Sequence, residues 1–336
     1  MGNNVYGIDL GTCNIKIYSK NDDGIMIEKN MIAIENKKNI FAYGDSAYEM
    51  YEKAPANIQI SFPLNNGVIA DIKDMEVLVK YFIADITKGK TAPADYYVAV
   101  PTDVTEVEKR AFYDLVKNAN VKAKNIYVVE KAVADGLGLG IDVKTSNGAL
   151  VVNVGFDTTE ISILSLGGIV LSRLIKTGGR KFDEAIKSAV RKEFNLIIGS
   201  KSAEQIKMQL KSLEEKGEDA VVFGRDIVTG LPMQKQIPVA FVNECLIEHF
   251  STIIDQVKLI LERTPPELGA DIYRHGIYLT GGASQVCKFA ALVQKNTGLK
   301  VNMAQSPIES VTIGLSKIIK DDNYKSLAYS IEGMGK

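Results

Sequence analysis

The stretch that decides the fold is Gly7-Ile8-Asp9-Leu10-Gly11-Thr12-Cys13-Asn14, which the alternating run Ile15–Tyr18 follows. A second stretch with the same plan is Asn153-Val154-Gly155-Phe156-Asp157-Thr158-Thr159-Glu160, followed by Ile161–Leu164. Asp9 aligns with Asn153 and Gly11 with Gly155, so both pairs lie 144 positions apart. A strand, a tight glycine turn and a second strand, used twice, predict two similar domains that close on the phosphate chain of a nucleotide.

The two copies are unequal. The second has Asn153 where the first has the carboxylate Asp9, and it has Phe156-Asp157 where small residues are expected after the glycine. We therefore expect the two hairpins to contribute differently to the site.

Composition excludes several classes of protein. The 336 residues suffice for two domains with sizeable cores, and 46% hydrophobic with 24% charged residues is ordinary for a soluble globular protein. A net charge of −1 gives no support to a nucleic-acid-binding surface, and two histidines leave little material for a His-rich metal site. The scattered cysteines Cys13, Cys245 and Cys287 suit a reduced cytosol. With no signal-peptide pattern and no apolar run near the roughly 20 residues that span a bilayer, we expect a cytoplasmic protein.

Strand-like runs alternate with amphipathic helix patterns in both halves, which is typical of an α/β protein. Strands are predicted over 5–10, 15–19, 24–28, 31–34, 40–43, 96–100, 126–129, 149–154 and 276–280, with a hairpin over 220–240. Helices are predicted over 75–86, from the capping box at Thr105 and Glu108 to about Asn118, from Lys131, and over 182–194, 203–215, 242–261, 286–295 and 312–320. No low-complexity linker divides the halves, so we expect them to pack together with a cleft between them.

Three glycine turns suit an anion, because glycine lets backbone amides point inward and removes side chains that block approach. They lie at Gly11-Thr12, at Gly155 and at Gly281-Gly282. Asp9, at the end of its strand, is suited to hold a hydrated Mg²⁺, which keeps its waters and takes few carboxylates. The run Gly136–Gly140 resembles a dinucleotide fingerprint, but it does not follow its strand immediately, so we interpret it as a helix terminus and linker.

The ordered set of motifs resembles the actin-like ATPase superfamily, and within it the bacterial actins of the MreB family. The resemblance covers nearly the whole chain. It rests on the two hairpins and on seven further stretches, Gly67-Val68-Ile69-Ala70-Asp71, Ser165-Leu166-Gly167-Gly168-Ile169-Val170, Phe182-Asp183-Glu184-Ala185-Ile186, Ser202-Ala203-Glu204 with Lys207, Thr229-Gly230-Leu231-Pro232, Thr264-Pro265-Pro266-Glu267-Leu268 and Leu279-Thr280-Gly281-Gly282.

The resemblance implies an actin-like α/β fold: two similar domains, each with a five-stranded mixed sheet and helices, split into four subdomains around an ATP cleft. The expected subdomains are IA (1–32, 72–145 and 317–336), IB (33–71), IIA (146–181 and 242–316) and IIB (182–241). It also implies filaments of identical subunits.

Position by position, the resemblance implies a nucleotide site with ATP or ADP and Mg²⁺ as cofactors. The implied nucleotide-binding residues are Asp9, Gly11, Thr12, Cys13, Asn14, Gly155, Phe156, Asp157, Thr158, Gly179, Glu204, Lys207, Gly281, Gly282 and Ala283. Glu204 and Lys207 fall near the ribose and base, although by themselves they read as a solvated helix pair. Asp9 is the expected metal ligand, through water.

The sequence departs from the family pattern where catalysis is expected. The family has Glu-Glu-Pro where this chain has Glu130-Lys131-Ala132, so Lys131 replaces the Glu that helps to activate water. A lysine with an ordinary pKa near 10.4 is protonated at neutral pH and cannot accept a proton. We expect Lys131 to pair instead with the γ-phosphate or with Asp157, unless it is a solvent-facing helix start. Glu130 is expected to point elsewhere.

Two more departures lie in the second hairpin. The family's Asp at position 153 is Asn153, which removes a charge near the metal but keeps a carbonyl oxygen. Asp157 is expected either to replace that lost charge in part or to repel the phosphates. Thr158, which would help to position water, is retained. Lys131, Thr158, Asn153 and Asp157 are thus the candidate catalytic residues.

We therefore expect an ATP-binding, filament-forming cytoskeletal protein of cell shape or shape-change motility, with slowed ATP hydrolysis. A nucleotide-independent adaptor pseudo-ATPase is the alternative, and a small-molecule kinase or a chaperone-like ATPase is less favoured. Partners are expected to be identical subunits and paralogous filament proteins, with no nucleic acid. The loop 87–95 lacks a bulky apolar pair, so we expect membrane contact at the inner face to be weak and charge-dependent, through Lys88 and Lys90.

Overall fold

The computed structural model describes residues 4–332. Its strands are β1 Asn4–Leu10, β2 Asn14–Ser19, β3 Gly24–Lys29, β4 Ile32–Glu35, β5 Asn39–Tyr43, β6 Ile58–Ser61, β7 Leu64–Asn65, β8 Val68–Ile69, β9 Ala94–Val100, β10 Ala123–Glu130, β11 Ala149–Val154, β12 Thr159–Ser165, β13 Gly168–Ile175, β14 Leu196–Ile197, β15 Ala220–Asp226, β16 Pro232–Ile237, β17 Ile277–Thr280, β18 Val301–Met303 and β19 Ala328–Tyr329.

The helices are α1 Gly44–Met50, α2 Ile72–Ile86, α3 Glu106–Asn118, α4 Lys131–Gly138, α5 Gly179–Phe194, α6 Ser200–Lys216, α7 Val239–Arg263, α8 Pro266–His275, α9 Phe289–Thr297 and α10 Ser310–Lys320. Two 3₁₀ segments, Gly282–Gln285 and Asp322–Leu327, complete the regular structure of the described residues. Most predicted elements are found within a few residues of their expected bounds. The capping box at Thr105 and Glu108 is present at the start of α3.

Two large sheets repeat one topology. The first has the order β3-β2-β1-β9-β10 with the short β19 added at its edge, and the second has the order β13-β12-β11-β17-β18. In each, two antiparallel pairings are followed by two parallel ones, so both sheets are mixed. The central strands β1 and β11 are the strands of the two glycine hairpins. The duplication inferred from 144-residue spacing is therefore confirmed by strand order, and the actin-like α/β class with it.

The sheets are covered on both faces, which explains why their central strands β1 and β11 are buried along almost their whole length. Ile8 and Val98 in the first sheet, and Val152 and Leu279 in the second, are fully buried. Burying a side chain of this kind contributes about 1.5–3 kcal/mol each. The long helices α5 and α7 add Phe182 and Phe250 to the core of the second sheet, where the two rings meet edge to face.

Two three-stranded sheets lie outside the large ones, and β7 pairs with β8 in a further two-stranded sheet. The order β5-β4-β6 is formed within residues 32–61, and the order β14-β15-β16 within residues 196–237. Helix α1 packs on the first, and α6 contacts the second. These two units supply opposing contacts above the cleft described below.

Helices α4 and α10 cross at very short distance. A Cβ at Gly138 would lie 1.8 Å from the carbonyl oxygen of Ser310, and a Cβ at Gly314 would lie 1.8 Å from that of Ala134. The glycines of the 136–140 run therefore serve this crossing and the helix end, as interpreted, because only a residue without Cβ permits such approach. The crossing brings Ser310 onto Asp135 at the floor of the cleft.

Some expectations were wrong in detail. The helix expected over 286–295 begins only at Phe289, because the chain after Gly281 first forms a 3₁₀ turn and Lys288 takes a left-handed conformation (φ 67°). Helices α1 and α8 and strands β13, β14, β18 and β19 were not predicted. The segment 54–71, for which no strand was predicted, contains three short strands, β6, β7 and β8.

Candidate nucleotide site

Both glycine hairpins close with the same backbone hydrogen bond. The amide of Gly11 donates to the carbonyl of Asn14 (3.1 Å), and the amide of Gly155 donates to that of Thr158 (2.8 Å). The donors and the acceptors are each 144 positions apart, so the repeat extends to the turn itself. The two turns face one cavity of about 430 Å³ between the large sheets.

Nearly every predicted site residue lines this cavity. They are Asp9, Gly11, Thr12, Cys13, Asn14, Lys131, Asn153, Gly155, Phe156, Thr158, Gly179, Glu204, Lys207, Gly281, Gly282 and Ala283. Residues more than 270 positions apart in sequence are thereby brought together, as the repeat of strand, turn and strand predicts. Asp157 alone among the predicted residues lies outside this lining.

Asp157 points away from the cavity. Its Oδ1 accepts from Nε of Arg180 at 2.6 Å, and its Oδ2 accepts from the amide of Asn66 at 2.8 Å. The guanidinium of Arg180 contacts the rings of both Phe62 and Phe156, 4.9 Å from each centroid. The expectation that Asp157 supplies charge to the metal side or contacts the nucleotide is therefore not supported by this geometry. The cause is a strong charge partner that sequence spacing did not indicate.

Asp9 is held by a lysine that sequence reasoning missed. In the β1–β2 register Asp9 lies opposite Lys16, and Nζ of Lys16 lies 2.5 Å from Oδ2 of Asp9. Both side chains are buried. Burial acts to raise the pKa of Asp9, but the charges of Lys16 and Lys131 outweigh it and leave the pKa lowered. The alternating pattern of β2 places Lys16 on the same face as Asp9, which is the signal that identifies this pair.

Lys131 lies inside the cavity, and the reading of it as a solvent-facing helix start is wrong. Its Nζ is 3.2 Å from Oε1 of Glu160, whose Oε2 accepts from the amide of Thr102 at 3.2 Å. Burial acts to lower the pKa of Lys131, but Glu160, Asp9 and Asp135 outweigh it and raise the pKa. Its ion-pair partner is Glu160, so the expected pairing of Lys131 with Asp157 is wrong.

The two hairpins place residues at corresponding positions opposite each other, but with different charges. Glu160 lies opposite Asn153 in the β11–β12 register, as Lys16 lies opposite Asp9. The second hairpin has lost the acid of its first strand and has an acid in its second strand, where the first hairpin has a base. Lys131, at the start of α4, neutralises that acid from outside the hairpin.

Asn153, in the cavity lining, donates a hydrogen bond to the buried Asp135. Its Nδ2 donates to Oδ2 of Asp135 at 2.6 Å, and Oγ of Ser310 donates to Oδ1 at 2.7 Å. Asp135 is fully buried, and this burial raises its pKa to about 6 despite the opposing effects of Lys131 and the two hydrogen bonds. Asn153 is thus the donor that an ionised Asp135 needs.

The other end of the cavity is formed by α5, α6 and the turn after β17. Nζ of Lys207 lies 2.7 Å from Oδ1 of Asp183 and donates to the carbonyl of Gly179 at 3.2 Å. Burial raises the pKa of Asp183 to about 6 despite Lys207. The reading of Lys207 as a solvated helix residue is wrong, because it is buried.

Position 281 requires glycine, because a residue with a Cβ would be strained and would clash there. Its φ is +86°, and a Cβ there would lie 2.3 Å from the carbonyl oxygen of Val154 and 2.5 Å from Oδ1 of Asn153. The turn after β17 thereby packs directly against the second hairpin. This close contact sets the width of the cavity at that point.

Sequence reasoning missed ten residues of the lining. Two are lysines, two are aromatic or sulfur-containing side chains, and the rest are mainly small or apolar groups: Lys16, Lys29, Tyr48, Met208, Gln285, Val286, Pro307, Ile308, Ser310 and Val311. Nζ of Lys29 is 3.4 Å from Sγ of Cys13. Most of these residues belong to segments without a motif, so only their place in the fold identifies them.

Glu130 does not face the cavity, as expected. Its Oε1 accepts from Lys109 and from the hydroxyl of Tyr329, both at 2.9 Å. Among residues 4–332 no group of three or more His, Cys, Asp and Glu side chains is placed to hold a metal. Asp9 suits a hydrated Mg²⁺ even so, because such an ion needs few protein ligands and the Lys16 ammonium contacts Oδ2 of the carboxylate, not Oδ1.

In the described part of the chain no helix is both long and apolar enough to cross a membrane.

Comparisons with known proteins agree with this geometry. Residues 3–326 match the model of the MreB/Mbl protein family. The cell shape-determining protein Mbl of Bacillus subtilis is 34% identical over 325 residues, which cover 96% of each chain. Structures of MreB5 of Spiroplasma citri bound to ADP and to AMPPNP both superpose with a TM-score of 0.89, at 33% and 32% identity, over 97% of this chain and 98% of theirs. A MamK double helical filament, at 20% identity, has a TM-score of 0.76 over 95% of this chain and 99% of that one, and shares the fold.

Proposed function

This chain belongs to the MreB/Mbl family, and on that premise we propose that it binds ATP in the cavity between its two large sheets, assembles with identical subunits into filaments, and hydrolyses ATP slowly. The cellular role we propose is cell shape or shape-change motility, because the Mbl relative bears the name of a cell shape-determining protein. The observation that carries the slow hydrolysis is the Lys131 ammonium inside the cavity, ion-paired with Glu160.

Nucleotide binding is supported by the cavity and by the relative. MreB5, which shares the fold over nearly the whole chain, binds ADP and AMPPNP. Here Gly11 and Gly155 place the backbone turns of both sheets in the cavity lining, and Lys16, Lys29 and Lys131 place three ammonium groups there. Backbone donors and lysines are the groups that hold phosphates. We propose that Glu204 and Lys207 lie at the ribose and base, and that Gly179 and Gly281–Ala283 complete that end.

We propose that Asp9 holds Mg²⁺ through water. When bound, Mg²⁺ neutralises charge on the phosphates. The chain's own contribution is to keep Asp9 ionised by means of Lys16 and to keep the carboxylate fixed at the end of β1. Lys16 shares the charge of this carboxylate, so it is a positioning residue for the metal side.

Slow hydrolysis follows from the protonation states. Lys131 has a raised pKa, stays protonated at neutral pH and has no lone pair to accept a proton from water. The acids nearby are engaged: Glu160 by Lys131 and the Thr102 amide, and Asp135 by Asn153 and Ser310. Thr158, in the lining, would orient a water but cannot take its proton. A missing general base costs about 10²–10⁴-fold, while the positioning that carries most phosphoryl transfer is retained.

We propose the subdomain boundaries IA (1–32, 72–145 and 317–336), IB (33–71), IIA (146–181 and 242–316) and IIB (182–241). The sheet orders support them. The strands of the first large sheet all lie within the proposed IA ranges and those of the second within IIA, while β14–β16 lie within IIB. The boundary at 32/33 falls inside β4, so the first residue of that strand belongs to IA.

Self-assembly is proposed from family membership and from the fold shared with the MamK filament. We place the filaments in the cytoplasm, with at most weak, charge-dependent contact to the inner face of the membrane. The loop 87–95 carries Lys88 and Lys90, and each basic residue near an anionic surface contributes about 1 kcal/mol.

Two measurements on the full chain test the proposal. Isothermal titration with ATP and ADP measures binding, and sedimentation with and without ATP measures assembly. We expect nucleotide binding and a pelletable filament. Pelleting without nucleotide binding would favour the adaptor pseudo-ATPase, and binding without pelleting under any condition would contradict the filament.

A further inference from the structure

Two helices that contribute residues to the cavity lining, α1 and α6, cap each other. Helix α6 begins after Gly199, which has no side chain to accept from the first helix amides. Glu52, just beyond the end of α1, takes that role: its Oε2 accepts from the Ser200 amide and its Oε1 from the Ser200 hydroxyl, both at 2.8 Å. An acidic acceptor at a helix N-terminus is stabilising, because it satisfies free amides and faces the positive end of the helix dipole.

The reverse contact runs from α6 to α1. The last turn of α1 contains no basic residue. Lys201, in the first turn of α6, supplies the charge instead: its Nζ donates to the carbonyl of Glu49 at 3.1 Å and to the carbonyl of Tyr48. A cation at a helix C-terminus satisfies free carbonyls and faces the negative end of the dipole. Each helix thus receives from the other the cap that its own sequence lacks.

Tyr48 is fixed at the centre of this contact. The ammonium groups of Lys29 and Lys201 lie 4.5 Å and 4.4 Å from its ring centroid. Its hydroxyl donates to Oε2 of Glu204 at 2.8 Å. Tyr48 and Glu204 both line the cavity, so this hydrogen bond joins its two walls at the end proposed for the ribose. It leaves Oε1 of Glu204 for a ligand.

We propose that Glu52, Lys201 and Tyr48 form a latch that holds the cavity closed over bound nucleotide and sets the rate of its release, with Tyr48 as the positioning residue for Glu204. The inference rests on the proposed nucleotide binding. A nucleotide leaves when the α1 and α6 units separate, and that separation breaks both caps and the Tyr48–Glu204 hydrogen bond together. The same contacts keep the cavity closed when no nucleotide is bound.

The test measures dissociation of a fluorescent ATP analogue from the full-length chain after a chase with excess ATP. Loss of one cap is expected to speed release about 5-fold, and the double variant E52A/K201A about 25-fold. Tyr48→Phe removes only the hydroxyl and is expected to speed release by several-fold. Glu52→Gln keeps an acceptor for the Ser200 amide and is expected to stay within about 2-fold of the wild type.

The control is K211A/E215A, which removes an exposed pair on the same helix α6 and is expected to leave release unchanged. Equal release from the wild type and E52A/K201A, with both folded by circular dichroism, would overturn the latch. So would equal acceleration in the control, because the effect would then belong to α6 stability.

A second readout needs no nucleotide. Cys13 lines the cavity below the latch, so its alkylation rate in a C245S/C287S background reports opening of the empty protein. We expect faster alkylation in E52A/K201A, and an unchanged rate would overturn the closed empty state. If the wild type bound no analogue while the latch variants still sped alkylation, the proposed nucleotide function would fail and the latch would stand.

Discussion

Replacing Asn153 with Asp restores the carboxylate that the family pattern implies at this position. The contacts of Asn153 allow the loss in free energy of unfolding to be calculated. In the wild type, Nδ2 of Asn153 donates to Oδ2 of Asp135 at 2.6 Å, and both residues are buried. The variant replaces this donor with a second acceptor. Two ionised carboxylates at that distance repel by about 6 kcal/mol at an effective dielectric constant of 20.

A proton shared between the two acids is the cheaper solution. Because burial already raises the pKa of Asp135 to about 6, protonating it at pH 7 costs about 1.4 kcal/mol, and the new O–H donor then replaces the lost amide. We therefore expect Asn153→Asp to lower the free energy of unfolding by about 1.4 kcal/mol at pH 7. The folded variant keeps one proton that the unfolded chain has released. The loss therefore grows by about 1.4 kcal/mol per unit above pH 6 and fades below it.

The assay is chemical denaturation of the wild type and the variant at pH 6, 7 and 8. The matched control is the exchange D135N/N153D, in which an amide again faces a carboxylate. It is expected to recover most of the stability and to lose the pH dependence. A loss in Asn153→Asp that is the same at all three pH values, or that reaches about 6 kcal/mol, would refute the shared proton.

Two further substitutions test the cavity walls. Lys16→Met leaves Asp9 buried without its partner and is expected to lower the free energy of unfolding by about 3–5 kcal/mol. The control Lys211→Met, at an exposed position of α6, is expected to lower it by under about 0.5 kcal/mol. Equal losses in denaturation curves would show that the Asp9–Lys16 pair is not needed. Gly281→Ala is expected to weaken ATP binding in calorimetry and to lower the free energy of unfolding more than Gly298→Ala does. Both glycines have a positive φ, but only at position 281 would an added Cβ meet a backbone atom, the Val154 carbonyl oxygen at 2.3 Å. Equal effects of the two substitutions would mean that φ strain alone is responsible.

Much of the fold could be predicted because the signals are local. The spacing of Asp9–Asn153 and Gly11–Gly155 predicts the repeat, and the alternation after each turn predicts the strands that carry it. Thr105 and Glu108 predict the start of α3 for the same reason, since a capping box lies within one turn. The glycine turns of the cavity belong to this class of signal.

What could not be predicted depends on contacts between distant segments. The sequence predicts Asp157 on the phosphate side because it follows Gly155, but Arg180 and the Asn66 amide donate to its two oxygens. The sequence leaves two possible partners for Lys131, and its partner in the structure is Glu160 on β12. Tyr48 enters the cavity from α1, a short helix without a recognisable pattern in sequence. In each case the contact joins segments that lie far apart in the sequence and meet only in the folded chain.

We propose that Lys131 blocks hydrolysis in a site that still binds ATP. Lys131→Glu alone would place a carboxylate where the ammonium now lies 3.2 Å from Glu160, a repulsion of about 5 kcal/mol at an effective dielectric constant of 20. The variant K131E/E160Q supplies the family's carboxylate without that repulsion. Lys131→Gln is the control, because it removes the ammonium without adding a base.

The most direct measurement is phosphate release from Mg-ATP, with ATP binding measured beside it and Mbl of Bacillus subtilis assayed in parallel. The wild type is predicted to bind ATP and to release phosphate about 10²–10⁴-fold more slowly than a family member with the base in place. K131E/E160Q is predicted to gain release, and Lys131→Gln to gain little. Wild-type release at the rate of Mbl, or an equal gain in both variants, would contradict the assignment of Lys131 to the position of the catalytic base.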